Sequence, residues 1–276
     1  MARAVKDATT PGILLVDKPQ GITSHDVVQR ARRALGTRKV GHAGTLDPMA
    51  TGLLILGAEW ATRLLTFIVG LDKTYEATIR LGVTTDSDDA DGVETSRVDA
   101  SVLAAIEDAQ ILAGIAALTG AISQVPSTVS AIKIDGRRAH ALVRAGETVE
   151  LKARDVTVSR FDVLEIRRDH GVLDLDVIVD CTSGTYIRAL ARDLGAGLGV
   201  GGHLTALRRT HIGTFDVADA VGVDEIDPSA LRNPALVAAE VQGRLDVSHE
   251  EASDLWVGKR IPGRAAELSG ETAAAI

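Results

Sequence analysis

The chain has 276 residues, 45% of them hydrophobic and 25% charged, an ordinary globular composition sufficient for one large domain or two. Thirty Lys and Arg against 38 Asp and Glu leave a formal net charge of −8, which excludes a global basic footprint for nucleic acid. No apolar run approaches the roughly 18–20 residues that span a bilayer. The start carries no apolar signal region, and the single Cys181 excludes an internal disulfide or a thiolate metal cluster, so a soluble protein of a reducing cytoplasm is expected.

In chain order, Gly12–Val16 reads as a buried strand, and Ser24 caps a helix to about Leu35 with Val27, Val28, Ala31 and Leu35 on one face. Residues 36–51 lack any period and carry glycines and a proline, which predicts a long loop and a first place to look for function. Gly52–Gly57 follows as a buried strand, Glu59–Val69 as a helix and Tyr75–Leu81 as a half-buried strand. An acidic loop leads to a helix from Ser101 to about Leu118, and Ser130–Ile134 with Asp135-Gly136 reads as a strand entering a tight turn. Thr157–Ile166 and Val172–Cys181 alternate like paired strands. Ser183-Gly184 opens a helix to about Leu198, and His203–Phe215 is a further strand. The sequence then turns acidic and Ala-rich, which sets a boundary near residue 222. The pattern is α+β.

Charge is segregated along this order. Residues 11–75 hold 8 basic against 5 acidic side chains, 130–160 hold 7 against 4 and 181–215 hold 4 against 1. The acidic excess gathers at 76–129, 161–180 and 216–276.

Several motif-like stretches have ordinary readings. The run Thr84–Gly92 is acidic enough for a calcium loop, yet Val98 stands where the twelfth position requires a bidentate Glu, so a solvated acidic loop is expected. Gly197, Gly199 and Gly202 match a dinucleotide pattern but follow a helix and precede a strand, the reverse of such a turn. Ser24-His25-Asp26 has triad residue types on consecutive helix positions, which do not face one another. Asp47, by contrast, is a lone carboxylate in the glycine-rich stretch 41–48, where backbone can approach a ligand closely; composition alone favours a turn bonded to its own backbone. Tyr75 at a strand start and Arg188 in a helix followed by Arg192 also have plain structural readings.

Six blocks, GILLVDKPQGITSHDV (12–27), VGHAGTLDPMATGLL (40–54), KTYEATIRLG (73–82), QVPSTVSAIKIDGRRAH (124–140), CTSGTYIRALARDLG (181–195) and GGHLTALRRTHIG (201–213), change that balance. In this order they resemble the TruB family of tRNA pseudouridine-55 synthases, and the likeness runs from about Gly12 to Phe215. The resemblance implies a pseudouridine-synthase-like mixed sheet flanked by helices over 1–222, with a short or incomplete PUA-like C-terminal domain at 223–276. It implies Asp47 as catalytic aspartate, Tyr75 as the ring that stacks on the target uracil and Arg188 as the cation paired with the aspartate. His42, Leu207 and Tyr186 are implied in substrate binding, with Lys18, Lys73, Lys133, Arg137, Arg138, Arg208 and Arg209 as RNA-backbone contacts.

The activity so implied is isomerisation of the T-loop uridine, with the tRNA T-arm as partner and a basic cleft around Asp47. The rearrangement involves no redox change and no group from outside, so no cofactor and no metal are expected. No membrane association is expected; a monomer is compatible with the sequence, which does not set the oligomeric state. A non-catalytic tRNA-binding or tRNA-folding protein is the alternative reading, and a glycosidase using Asp47 and a second carboxylate is a more distant one.

Overall fold

The computed structural model describes residues 10–127, 133–134, 137–138, 151–169, 171–268, 270 and 272–276, with backbone alone at 133–134 and 137–138. The chain divides into two compact units, one within Met1–Asp47, Gly52–Leu71 and His211–Ile276 and the other within Pro48–Thr51 and Asp72–Thr210. Among the described residues, no helix is long and apolar enough to cross a membrane.

The first unit is organised by the strand Gly12–Lys18, which runs antiparallel to Thr51–Ala58 and parallel to Val221–Gly222. These strands read as continuous apolar runs because both of their faces are covered. On one face Leu14, Val16, Leu54 and Leu56 pack with Val27, Val28 and Ala31 of the helix Ser24–Ala34; on the other Ile13, Leu15, Leu53 and Ile55 meet Leu65, Ile68, Phe215 and Val237.

Several expectations are corrected here. The helix cap is Thr23: its hydroxyl accepts from Asp26 N, and the Asp26 carboxylate accepts from Thr23 N and Oγ1. These bonds hold the Asp26 carboxyl below the usual range. The long loop at 36–51 is interrupted by a strand, Val40–Ala43, because Ala58 back to Ile55 offers it a partner edge. Glu59–Val69 forms a six-residue 3₁₀ segment and then only a short helix, Leu65–Ile68. The C-terminus closes with a strand that the sequence does not announce, Ala274–Ala275 lying parallel to Arg244–Leu245.

The second unit pairs Lys73–Leu81 with Val172–Cys181, which in turn pairs with Arg154–Asp169 and that with Gly120–Gln124, all antiparallel. Gly202–Ile212 borders Lys73–Leu81 on its other side. Val172–Cys181 alternates as predicted, with Leu173, Leu175, Val177 and Val179 buried. Its acidic positions on the opposite face are matched across the sheet: Arg80 grips Asp174 through two bonds of 2.8 and 2.7 Å, Arg160 grips Asp180, and Arg167 pairs with Asp176. The acidity of 161–180 therefore belongs largely to sheet pairing.

The expected helix 101–118 is two helices, Ala100–Ala104 and Asp108–Ala117, because the Gln110 side chain accepts from Glu107 N and starts a new one. Lys133–Ile134 pairs with Arg137–Arg138, while the expected turn residues 135–136 lie outside the described residues. The helix of the third basic window begins at Ile187 rather than Ser183 and ends at Gly197. It is brought tightly onto the next strand: a Cβ on Gly195 would fall 2.1 Å from the Gly201 carbonyl carbon.

Candidate active site

In the first unit, Asp47 follows the bend at Gly44, whose φ of 88° suits glycine. Because Thr23 caps the helix, the buried Ser24 hydroxyl is available for another use. It accepts from Leu46 N at 2.8 Å and donates to Leu46 O at 3.1 Å, clamping the residue before Asp47 on both of its peptide groups. Leu46 and Met49 are buried on either side, and Asp47 itself stays half-exposed. His42 lies on the strand Val40–Ala43 opposite Leu56, also half-exposed. Lys18 is fully enclosed, and its ammonium donates to Pro19 O at 3.0 Å and Ile22 O at 2.8 Å. That group ties the 19–22 turn from within the unit.

The second unit carries Lys73, Tyr75, Tyr186, Arg188, Leu207, Arg208 and Arg209. Tyr75 is buried on the strand Lys73–Leu81, opposite Val179, and Leu207 is buried on Gly202–Ile212. Tyr186 precedes the helix and is fixed by the Gln124 amide, which accepts from Tyr186 N at 2.8 Å and donates to Tyr186 O at 3.1 Å. Arg208 is half-exposed, whereas Arg209 and Lys73 are buried. Burial first, and the nearby Arg209 cation second, pull the Lys73 ammonium from 10.5 down to about 8. Lys73 and Arg209 are thus enclosed within the unit, and Arg208 is the most exposed of the three. Lys133, Arg137 and Arg138 have side chains outside the described residues.

Arg188 is 3% exposed and anchored to the acidic loop. It donates to Ser87 O at 2.7 Å, and its Nε stands 3.5 Å from Asp89 Oδ2. The Asp89 carboxylate also accepts from Ser87 Oγ at 2.5 Å and Asp91 N at 3.1 Å. One turn further along the helix, Arg192 reaches Asp88 at 3.3 Å and donates to Val125 O. Gly92 is required for this closure, since a Cβ there would meet Ser87 Oγ at 2.2 Å. The run 84–92 is thus not a solvated loop throughout: Ser87 and Asp89 are buried against the Arg188 helix. Asp89, Gln124 and the role of Ser24 were missed in the sequence. The one usable signal was the i, i+4 spacing of Arg188 and Arg192, which gives two cations on one helix face to be matched.

The first unit holds a carboxylate whose backbone is clamped, and the second holds an aromatic ring, an apolar side chain and an anchored cation. The family model described as TruB family pseudouridylate synthase (N terminal domain) matches residues 32–187, and that of the tRNA pseudouridylate synthase B C-terminal domain matches 188–236. The chain belongs to the TruB family of pseudouridine synthases, isomerases of uridine. It is 59% identical over 251 residues to tRNA pseudouridine synthase B of Leifsonia xyli subsp. xyli, covering 91% of this chain and 83% of that one. With the protein of the same name from Paenarthrobacter aurescens it shares 56% over 253 residues, covering 91% and 80%. Among solved structures it is similar to a Cbf5-Nop10-Gar1 complex, at 26% identity and a TM-score of 0.67 over 90% of this chain and 67% of that one. An H/ACA RNP bound to a substrate RNA containing 2′-deoxyuridine gives 25%, 0.66, 91% and 67%.

Proposed function

We propose that this enzyme converts the T-loop uridine of tRNA, at position 55, to pseudouridine, with Asp47 as the essential carboxylate. The observation that carries the reading is the Ser24 clamp on Leu46, which fixes the backbone at Asp47 while the carboxylate stays half-exposed. The relatives named tRNA pseudouridine synthase B support tRNA as the substrate.

The reaction breaks the N1–C1′ bond, turns the uracil and forms C1′–C5, while C5 gives up its proton and N1 gains one. Asp47 acts in its ionised form, either as nucleophile at C1′ or as base at C2′. Arg188 pairs with the carboxylate in the assembled site and favours its charged form. Tyr75 offers a flat face to the detached base, Leu207 an apolar wall, and His42 and Tyr186 contact the folded loop. The uridine must leave its stack first, at a cost of a few kcal/mol that is smaller in a loop than in a duplex. Phosphate contacts, with Arg208 among them, supply salt-sensitive affinity. Residues 1–222 carry this chemistry, and 223–276 form a short PUA-like accessory domain.

The test is incubation with an unmodified T-arm hairpin and mapping of pseudouridine at single-nucleotide resolution. Product at the loop uridine, lost in Asp47→Asn with tRNA binding retained, is expected. Folded protein that binds the hairpin and yields no product would instead support the tRNA-binding or tRNA-folding role.

A further inference from the structure

We infer that the C-terminal end of the helix Ser24–Ala34 is a docking site for the phosphodiester backbone of the substrate RNA, away from the target uridine. The inference rests on the RNA-substrate reading above and adds a contact surface to it. Gln29, Arg32, Arg33, Gly36, Thr37 and Arg38 line an open concavity of about 690 Å³. Gln29, Arg32, Arg33 and Gly36 follow i, i+3, i+4 and i+7 spacing and so share one helix face. Gly36 then reverses the chain at φ 66° and brings Arg38 back beside that face.

Three guanidinium groups converge on this concavity with no carboxylate in its lining. Elsewhere Arg80, Arg97, Arg160, Arg168, Arg232 and Arg264 each stand within 3.0 Å of a carboxylate oxygen. Among the described residues no carboxylate pairs with Arg32, Arg33 or Arg38, and none lines the concavity. Glu59, the acid bonded to the Thr37 hydroxyl, is also engaged by Lys39 at 3.4 Å. Arg32 donates through Nη2 to Val40 O, while its Nε is buried and meets no acceptor among the described residues. A buried guanidinium N–H without an acceptor costs about 1–3 kcal/mol, and an anionic oxygen removes that cost.

Basic residues in a last helical turn also complement the helix dipole, which is the plainer explanation. Here the final carbonyls are already occupied, Ala31 O by Leu35 N, Arg32 O by Thr37 N and Arg33 O by Gly36 N. About half a charge at the helix end leaves three guanidinium charges largely uncompensated. A small-molecule pocket would be mainly apolar with aromatic walls. This one is open and cationic and has no aromatic lining, which suits a polyanionic strand. The helix places it, too. Ser24 at one end clamps the Asp47 loop, and eleven residues at 1.5 Å each put the concavity about 16 Å further along. At about 3.4 Å per stacked nucleotide, the strand held there lies on the order of five nucleotides from the reacting uridine. That distance assigns the site to the stem.

The test is the salt dependence of binding to an unmodified T-arm hairpin by wild type and by R33Q/R38Q, whose two side chains are exposed, with thermal melting to check folding. Two lost phosphate contacts should flatten the slope of log K against log salt by roughly 1.4–1.8, a weakening on the order of 30-fold at 0.1 M that vanishes near 1 M. R33K/R38K should restore the slope. R97Q/R244Q, which removes two charges from salt-bridged arginines, should leave it unchanged. Wild type bound to a hairpin whose stem is cut to two base pairs should show the flattened slope as well. If wild type makes pseudouridine yet R33Q/R38Q keeps the full slope, the docking site is refuted and the enzyme reading stands; a pocket for a free phosphate compound would give this same result. If wild type neither binds nor modifies the hairpin, the enzyme reading fails and the docking site with it.

Discussion

The loop of Asp47 and the loop of Asp89 are both short, glycine-containing and acidic, yet they are fixed in opposite ways. The first is held at its backbone, by a serine hydroxyl on the two peptide groups of Leu46. The second is held through ions, with Arg188 and Asp89 both nearly sealed from solvent and bonded to Ser87. A backbone clamp sets where a charge stands and leaves its reactivity to the bound complex. An ionic clamp sets where a charge stands by matching it to an opposite one. A reacting carboxylate is served by the first arrangement and an orienting cation by the second.

The sharpest way to separate the two loops is at the carboxylates themselves. Asp47→Asn should lower kcat by at least about 10³-fold while leaving tRNA affinity within roughly 2-fold, because it removes a reacting group; equal turnover by both proteins would overturn the comparison at its root. Asp89→Asn should instead cost on the order of 3 kcal/mol of stability, since it takes a charged partner from a buried guanidinium. An unchanged urea midpoint would show that the ionic clamp is not holding the loop.

Smaller effects sharpen the contrast. Ser24→Ala strips partners from a buried N–H and C=O and should cost about 1–3 kcal/mol, with kcat falling as Asp47 loses its seat. Thr23→Ala removes only the cap, at about 1 kcal/mol, and should leave kcat in place. Equal kinetics for the two alanine variants would detach the clamp from catalysis.

The smallest effect concerns Lys73 in the second unit. With its folded value near 8 against 10.5, the unfolded chain binds more protons between those limits, so stability rises with pH there, by up to about 1.4 kcal/mol per unit. Cys181, pushed by burial from 9.0 to about 11, opposes this between pH 9 and 11, where the unfolded thiol ionises first. Urea unfolding from pH 8 to 9 should therefore show wild type gaining on Lys73→Met. A flat difference would show that the Lys73 ammonium is not depressed by burial.

What the sequence disclosed follows from how far each cause reaches along the chain. Gly12–Lys18 and Val172–Cys181 were legible because burial on two faces or on one writes itself directly into residue pattern. Val40–Ala43 was not, since a glycine-bearing segment becomes a strand only when Ala58 back to Ile55 lies beside it. Asp47, Tyr75 and Arg188 stood out through the motif blocks that contain them, and their assignment remains our proposal. Their supports were invisible for a different reason. Ser24 with Leu46, Ser87 with Arg188 and Gln124 with Tyr186 are joined across 22, 101 and 62 positions, beyond the range of any local rule.

The strand Gly12–Lys18 has a consequence for synthesis on the ribosome. It precedes its partner Val221–Gly222 by about 200 residues, and Val237 belongs to the core that covers its second face. At roughly 5–20 residues per second, that apolar strand waits on the order of 10–40 s for its cover. The unit within Asp72–Thr210 is translated whole during that interval. The unit that holds Asp47 is therefore begun before the other and completed after it, so nascent-chain chaperones have their longest task at the strand Gly12–Lys18.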